Sequence, residues 1–255
     1  MYNKFLQFFY NGLLFGLPSI TYNPINKNVL HAPFNVNEYS TYINYKLNKK
    51  EINIINNYLI EKTNNLKLEK ISIFPDDNKH YFLSVNIYNC TSPIFSFIKD
   101  EPVTRCEINT YISNNNNEIG TLILDYTSNI LSMDPDNIFK QAAPTNFLKD
   151  NSDNILCNSY NKNINLKLKY NKKNSISKKI IDKDLIKYSD KIFYNNGIYD
   201  KLYYDNSLLS NVISITNNFN IEFNFLNNTF KKPHSIFFFN SNINFVGGLW
   251  NNLNK

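Results

Sequence analysis

An arginine and a glutamate two positions apart on an extended chain project to the same side, and the segment Val103–Ile112 carries such a pair. Arg105, Glu107 and Asn109 occupy one face of this segment, while Cys106, Ile108, Thr110 and Ile112 occupy the other. A guanidinium can hold a carboxylate through two parallel hydrogen bonds, and a glutamate can act as general acid or base. The two groups can also neutralise one another, which needs no ligand. With the apolar face against a core, the polar row faces either water or a hollow interior.

The elements that position this row follow the same period of two. In Tyr81–Cys90, Tyr81, Leu83, Val85 and Ile87 alternate with Ser84, Asn86 and Tyr88. In Ile119–Tyr126, Leu122, Leu124 and Tyr126 stand opposite Thr121 and Asp125, after a polar loop over Asn114–Glu118. Three neighbouring strands make a meander. Upstream, Thr41–Leu47 reads as a strand. Lys49–Asn64 reads as a helix, with Ile52, Ile55 and Leu59 at helical spacing, and Leu66–Phe74 as an alternating strand closed by the turn Pro75-Asp76-Asp77-Asn78. Downstream, Ser132 to Asp136 has the form of a helix start with Pro135 in the first turn. That structural role accounts for Asp134 and Asp136 better than metal ligation or acid catalysis does. Ile164–Tyr170, Ile192–Tyr194, Leu202–Tyr204 and Phe219–Phe225 read as late strands of the same sheet, and Ser235–Phe239 and Ile243–Val246 as the last ones.

Many short strands, two or three helices and no strand–helix rhythm predict a mainly β chain, all-β or α+β. The expected architecture is a closed or nearly closed antiparallel barrel with peripheral helices, formed by residues 1–255 as one domain. In such a barrel Arg105 and Glu107 share a side, because inward and outward positions alternate.

The run from Arg105 to Thr145, "RCEINTYIS…IGTLILDYTSNILSMDP…AAPT", resembles the central part of the acetoacetate decarboxylase-like superfamily, and more closely its YqjF-like bacterial branch. Glu107, Asn109, Thr110 and Tyr111 match the first strand of that pattern, Gly120 its turn, Leu124-Asp125 a Leu-Asp pair, and Pro144 the proline that closes it. Gly16-Leu17-Pro18 is similar to the start of the superfamily's first strand. The resemblance implies a barrel whose hollow holds a small ligand, with Glu107 in that hollow. It also implies a lysine after the proline, which forms an imine with a keto substrate once a neighbouring cation has lowered its pKa. Here Thr145 stands at that position and cannot form an imine. Lys140 and Lys149 are the nearest amines.

Composition narrows the remaining choices. Asn, Lys, Ile, Tyr and Phe dominate, as in proteins from AT-rich genomes, and 20 Phe with 18 Tyr suffice for a large core. The net charge of +6 carries a single arginine among its 27 basic residues, and arginine is the preferred reader of phosphate and guanine edges, so no nucleic-acid partner is expected. The Lys-rich stretch 171–191, interleaved with Asp182, Asp184 and Asp190, reads as a solvated loop or helix. Cys90, Cys106 and Cys157 form no disulfide or zinc spacing, which makes a reducing, cytoplasmic setting the default. His31, His80 and His234 are isolated in sequence, so neither a metal nor a cofactor is expected. Phe5–Ile20 is shorter than the roughly 20 apolar residues a bilayer crossing needs, and residues 1–20 are expected as an apolar helix covering the domain, with no transmembrane segment. Three functions fit: a small-molecule-binding barrel without imine chemistry, with Arg105, Glu107 and Asn109 taking an organic acid and Glu107 as acid or base; a non-catalytic interaction or structural protein; and a decarboxylase with a relocated lysine.

Overall fold

The computed structural model describes residues 21–22, 30–31, 33–36, 40–63, 66–91, 103–128, 145–150, 154–159, 165–170, 176–194, 197–203, 211–215, 219–239, 243–247 and 251–252. The expected N-terminal helix, the helix start at Ser132 and the closing Pro144 lie outside them.

The described chain is mainly β. Its strands are β1 Thr21–Tyr22, β2 Leu30–His31, β3 Pro33–Val36, β4 Thr41–Lys46, β5 Lys67–Leu68, β6 Phe82–Thr91, β7 Val103–Ser113 and β8 Ile119–Ser128. There follow β9 Thr145–Asp150, β10 Asn154–Ser159, β11 Asn165–Tyr170, β12 Ile176–Ile180, β13 Lys191–Tyr194 and β14 Gly197–Tyr203. The last are β15 Asn211–Ile215, β16 Phe219–Phe225, β17 Asn228–Phe230, β18 Ser235–Phe239, β19 Ile243–Gly247 and β20 Asn251–Asn252. Two helices occur among the described residues, α1 Lys49–Lys62 and α2 Lys183–Ser189.

Apart from the short pair β1–β2, the strands form two sheets. The larger runs β12-β15-β18-β4-β6-β3-β19-β14-β13-β8-β7-β5, with β20 on β14, and β6 pairs with β7 as well. The pairings therefore return on themselves: from β6 through β3, β19, β14, β13, β8 and β7 back to β6. The smaller sheet has five strands in the order β17-β16-β11-β10-β9. This corrects the expectation of one sheet, because β11 and β16 belong to the smaller sheet while β13 and β14 belong to the larger. Alternation tells a strand which face is apolar and says nothing about which sheet receives it.

One pairing departs from the antiparallel expectation. β13 runs parallel to β8, with Ile192 opposite Thr121 and Phe193 opposite Leu122. Parallel neighbours need a long connection, and here the chain reaches β13 by way of α2. Their close approach uses Gly120, where a Cβ atom would stand 2.6 Å from the Lys191 carbonyl oxygen and 2.6 Å from the Phe193 ring. Gly120 therefore lies inside β8 and not in the turn. The turn is made by Asn114, whose Oδ1 accepts from the Asn116 and Glu118 amides at 3.0 and 2.9 Å, with Asn117 in the left-handed region at φ 57°.

Helix α1 starts as its sequence dictates. Asn48 Oδ1 accepts from the Lys50 and Glu51 amides, and Glu51 Oε2 accepts from the Asn48 amide at 2.7 Å, which closes a capping box. Ile55 and Leu59 are buried on one face, and Ile60 is exposed on the other. They join a core formed between the two sheets by Ile43, Val85, Cys106, Ile108 and Leu124 from the larger and Leu166, Leu168, Phe223 and Phe225 from the smaller. Each such side chain contributes about 1.5–3 kcal/mol on burial.

A second core lies on the opposite face of the larger sheet. Val36 of β3, Phe82 of β6, Tyr111 of β7 and Ile243 of β19 meet there, with Phe237, Phe239 and, from α2, Leu185 and Ile186. These four strands are adjacent in the ring, and inner denotes this face. The stretch Leu66–Phe74 is not one long strand. Lys67–Leu68 pairs at the edge of β7, Ile71 makes a single bridge to His80, and the chain brings Ile71, Ile73 and Phe74 into the inner core. Burial of these three side chains outweighs continued edge pairing. The Lys-rich stretch resolves into β12 and α2, with Asp182 as the helix cap, accepting from the Asp184 amide at 2.8 Å.

Candidate functional site

Strand β7 is buried on both faces. Register places Tyr88 opposite Arg105, Asn86 opposite Glu107 and Ser84 opposite Asn109. Ser84, Asn86 and Tyr88 alternate with Leu83, Val85 and Ile87, so Arg105, Glu107 and Asn109 lie on the inner face with Phe82 and Tyr111. Glu107 is 7 % exposed and Asn109 5 %. Burial of the polar row answers the choice left open by the sequence between water and an interior.

Arg105 Nε stands 2.7 Å from Glu107 Oε1. The same oxygen accepts a hydrogen bond from the Tyr88 hydroxyl at 2.8 Å. A buried glutamate is thus matched by one cation and one neutral donor, the arrangement that lets a charge remain in a low-dielectric setting. Burial, and next the Glu107 charge, hold the Tyr88 phenol well above the usual tyrosine range. Tyr88 is therefore a neutral donor at physiological pH. The Tyr111 phenol, farther along the row, is pushed up to about 12, again by burial.

The row continues across the sheet. Asn86 Nδ2 donates to the Tyr42 hydroxyl at 2.9 Å, Ser84 Oγ donates to Asn44 Oδ1 at 2.7 Å, and Asn44 Nδ2 donates to Ser235 Oγ at 3.1 Å. Beside it the aromatic rings close up, with Tyr42 stacked on Phe237 at 5.3 Å between centroids and edge-on to Phe239 at 5.4 Å. The inner face thus has a polar half near Arg105 and an aromatic half near Phe237.

A bulge interrupts β8 beside the row. Ile108 pairs with Asp125 and Asn109 with Ile123, which leaves Leu124 without a rung partner. The Leu124 carbonyl oxygen instead accepts from the Tyr58 hydroxyl of α1 at 3.1 Å. The bulge overturns the simple alternation read from Ile119–Tyr126. Asp125 takes the register position opposite outer-facing Ile108, and Tyr126 the one opposite Glu107.

Sequence reasoning singled out Arg105, Glu107 and Asn109 and missed Tyr88, Asn86 and Tyr42 as their partners. The signal was present in the polar positions Ser84, Asn86 and Tyr88, but only the register of β6 on β7 couples each to its neighbour. Thr145 opens β9, and Lys149 lies in the same strand, opposite Ile155 of β10 in the smaller sheet. Neither belongs to the strands of the ring, and Lys140 lies outside the described residues. His234 Nε2 meets Asp77 Oδ2 at 2.9 Å across two loops. Among the described residues no three His, Cys, Asp or Glu side chains gather as a metal site, and no helix is long and apolar enough to cross a membrane. Cys90 and Cys106 are buried.

No protein-family model and no curated protein matches the sequence. Solved structures do. An acetoacetate decarboxylase-like enzyme from Sphingomonas wittichii RW1 superposes with a TM-score of 0.50 at 7 % identity, over 87 % of this chain and 93 % of that one. The enduracididine biosynthesis enzyme MppR, with HEPES buffer bound, gives 0.52 at 6 % identity over 87 % of each chain. At such identities the likeness is one of fold: the mainly antiparallel architecture is that of acetoacetate decarboxylase-like proteins.

Proposed function

We propose that this chain is a small-molecule-binding protein of the acetoacetate decarboxylase-like kind, of its YqjF-like branch, and that its ligand sits on the polar half of the inner face. It works in the cytoplasm as a single domain. Arg105, Glu107 and Asn109 contact the ligand, with Arg105 orienting an organic acid and Glu107 available as acid or base. Imine chemistry is not part of the reading, because Thr145 follows Pro144 where the resemblance calls for lysine. The observation that carries the proposal is the burial of a guanidinium and a carboxylate together on one face of the ring strands, where packing alone would be served by apolar residues.

The test is native mass spectrometry of the purified full chain beside the double variant R105M/E107L, with crystals of both soaked in short organic acids. The reading expects a bound small molecule on the wild type that the double variant lacks. The same unliganded mass for both, with no bound acid in either crystal, would sink it.

A second reading is supported by the closed Arg105–Glu107 pair at 2.7 Å and by the Tyr42, Phe237 and Phe239 rings on the same face. On it, the fold persists as a non-catalytic interaction or structural protein. The double variant would then keep every property of the parent. A relocated lysine is tested by borohydride trapping with a keto acid, and the proposal expects no adduct at Lys140 or Lys149.

A further inference from the structure

Two carbonyl oxygens on the inner face accept no hydrogen bond among the described residues. They are Oδ1 of Asn86 and Oδ1 of Asn109, in residues 7 % and 5 % exposed. A buried amide oxygen without a donor costs free energy, and native chains keep few of them, each for a reason. Here they lie on adjacent strands. Asn86 is the rung partner of Glu107, and Asn109 is the next residue of β7 on the same face, a diagonal placement that sets two side chains about 7–8 Å apart.

The β8 bulge falls between Ile108 and Asn109, and bulges next to binding sites serve to re-aim a side chain. Between the two amides, Glu107 is already matched by Arg105 and Tyr88, so charge is balanced. The two amide oxygens are the acceptors of this part of the row that no described donor meets.

Building on the small-molecule reading above, we infer that the ligand presents N–H or O–H donors to Asn86 Oδ1 and Asn109 Oδ1: a primary amide, a urea-like group or a pair of hydroxyls. A ligand with acceptors alone, such as a bare carboxylate, leaves both oxygens unmet. If the ligand is an organic acid, it is one that also carries hydroxyl or amide groups.

Ligand-observed NMR on the full chain tests this with three probes of similar size: acetamide, urea and acetate. Acetamide and urea are expected to bind the wild type in preference to acetate. Asn109→Leu should weaken both by about tenfold or more, since a hydrogen-bonding site discriminates strongly against loss of its partner. The same variant should raise Tm by about 2–4 °C, because it removes an unmet buried acceptor. Should it not fold, Asn109→Ala takes its place in the binding measurement. Acetate binding ahead of the two donors, or donor binding indifferent to the substitution, overturns the inference and leaves the small-molecule reading intact. Binding of none of the three removes both.

Discussion

The two faces of β7 differ although both are buried. The outer face presents Cys106, Ile108 and Ile112 to the smaller sheet and to α1. Its one hydroxyl, Thr110 Oγ1, donates to the Phe82 carbonyl oxygen at 2.9 Å. The inner face presents Arg105, Glu107 and Asn109 to the ring, where each polar atom must find a specific partner. Dispersion and the hydrophobic effect tolerate small shifts on the outer face, whereas hydrogen-bond geometry tolerates few on the inner one. The same burial therefore stabilises in one direction and constrains in the other.

Substitutions on opposite faces put that contrast to work. Glu107→Ala removes the carboxylate and leaves Arg105 buried, which should lower stability by about 4 kcal/mol. Ile108→Ala, a fully buried neighbour on the outer face, should cost about 3 kcal/mol as a cavity. Urea unfolding of the two side by side is the measurement. A glutamate variant that costs less than the isoleucine variant would mean water reaches Arg105, and the inner face would lose its distinct character.

Tyr88→Phe sharpens the comparison by deleting one neutral donor to a charged acceptor, at a cost of about 2 kcal/mol. Equal stability of the variant and the parent would show that another donor serves Glu107 as well.

The smallest effect belongs to the rim. Lys191 Nζ donates to Glu118 Oε1 at 2.8 Å, and this bond, followed by that from Asn114, holds the Glu118 carboxyl below the usual carboxylate range. A depressed carboxylate contributes stability above its unfolded value near 4.5, and loses that contribution as pH falls through the folded one. Both side chains are about one-third exposed, at 36 % and 34 %, so the contribution stays under about 1 kcal/mol. Lys191→Met should therefore lower the urea midpoint at neutral pH by up to that amount and leave it nearly unchanged in acid, where Glu118 is protonated, so that the acid limb flattens.

How much of this was legible beforehand depended on the range of the interaction. The helix at Lys49 could be read because its capping box spans three residues, and the strand at Val103 because its alternation is carried by neighbours in the chain. The length of Leu66–Phe74 was overread, because Ile71, Ile73 and Phe74 gain more from the inner core than from extending an edge. The β8 bulge was invisible. One extra residue in a strand leaves no mark on composition, yet it reverses which side each later residue takes. Tyr88 stayed hidden among 18 tyrosines, since nothing local distinguishes the one opposite Arg105.

By itself, the order of residues determined where the strands alternate, where the first helix begins, and that Arg105 and Glu107 share a side. Tertiary structure alone decided that this side is buried, that Tyr88 and Arg105 converge on one oxygen of Glu107, and that β11 and β16 belong to a separate sheet. The reason is physical: a strand's alternation is a property of its own backbone, whereas register, sheet membership and the sense of inside arise only when distant segments compete for the same hydrogen bonds and the same apolar surface.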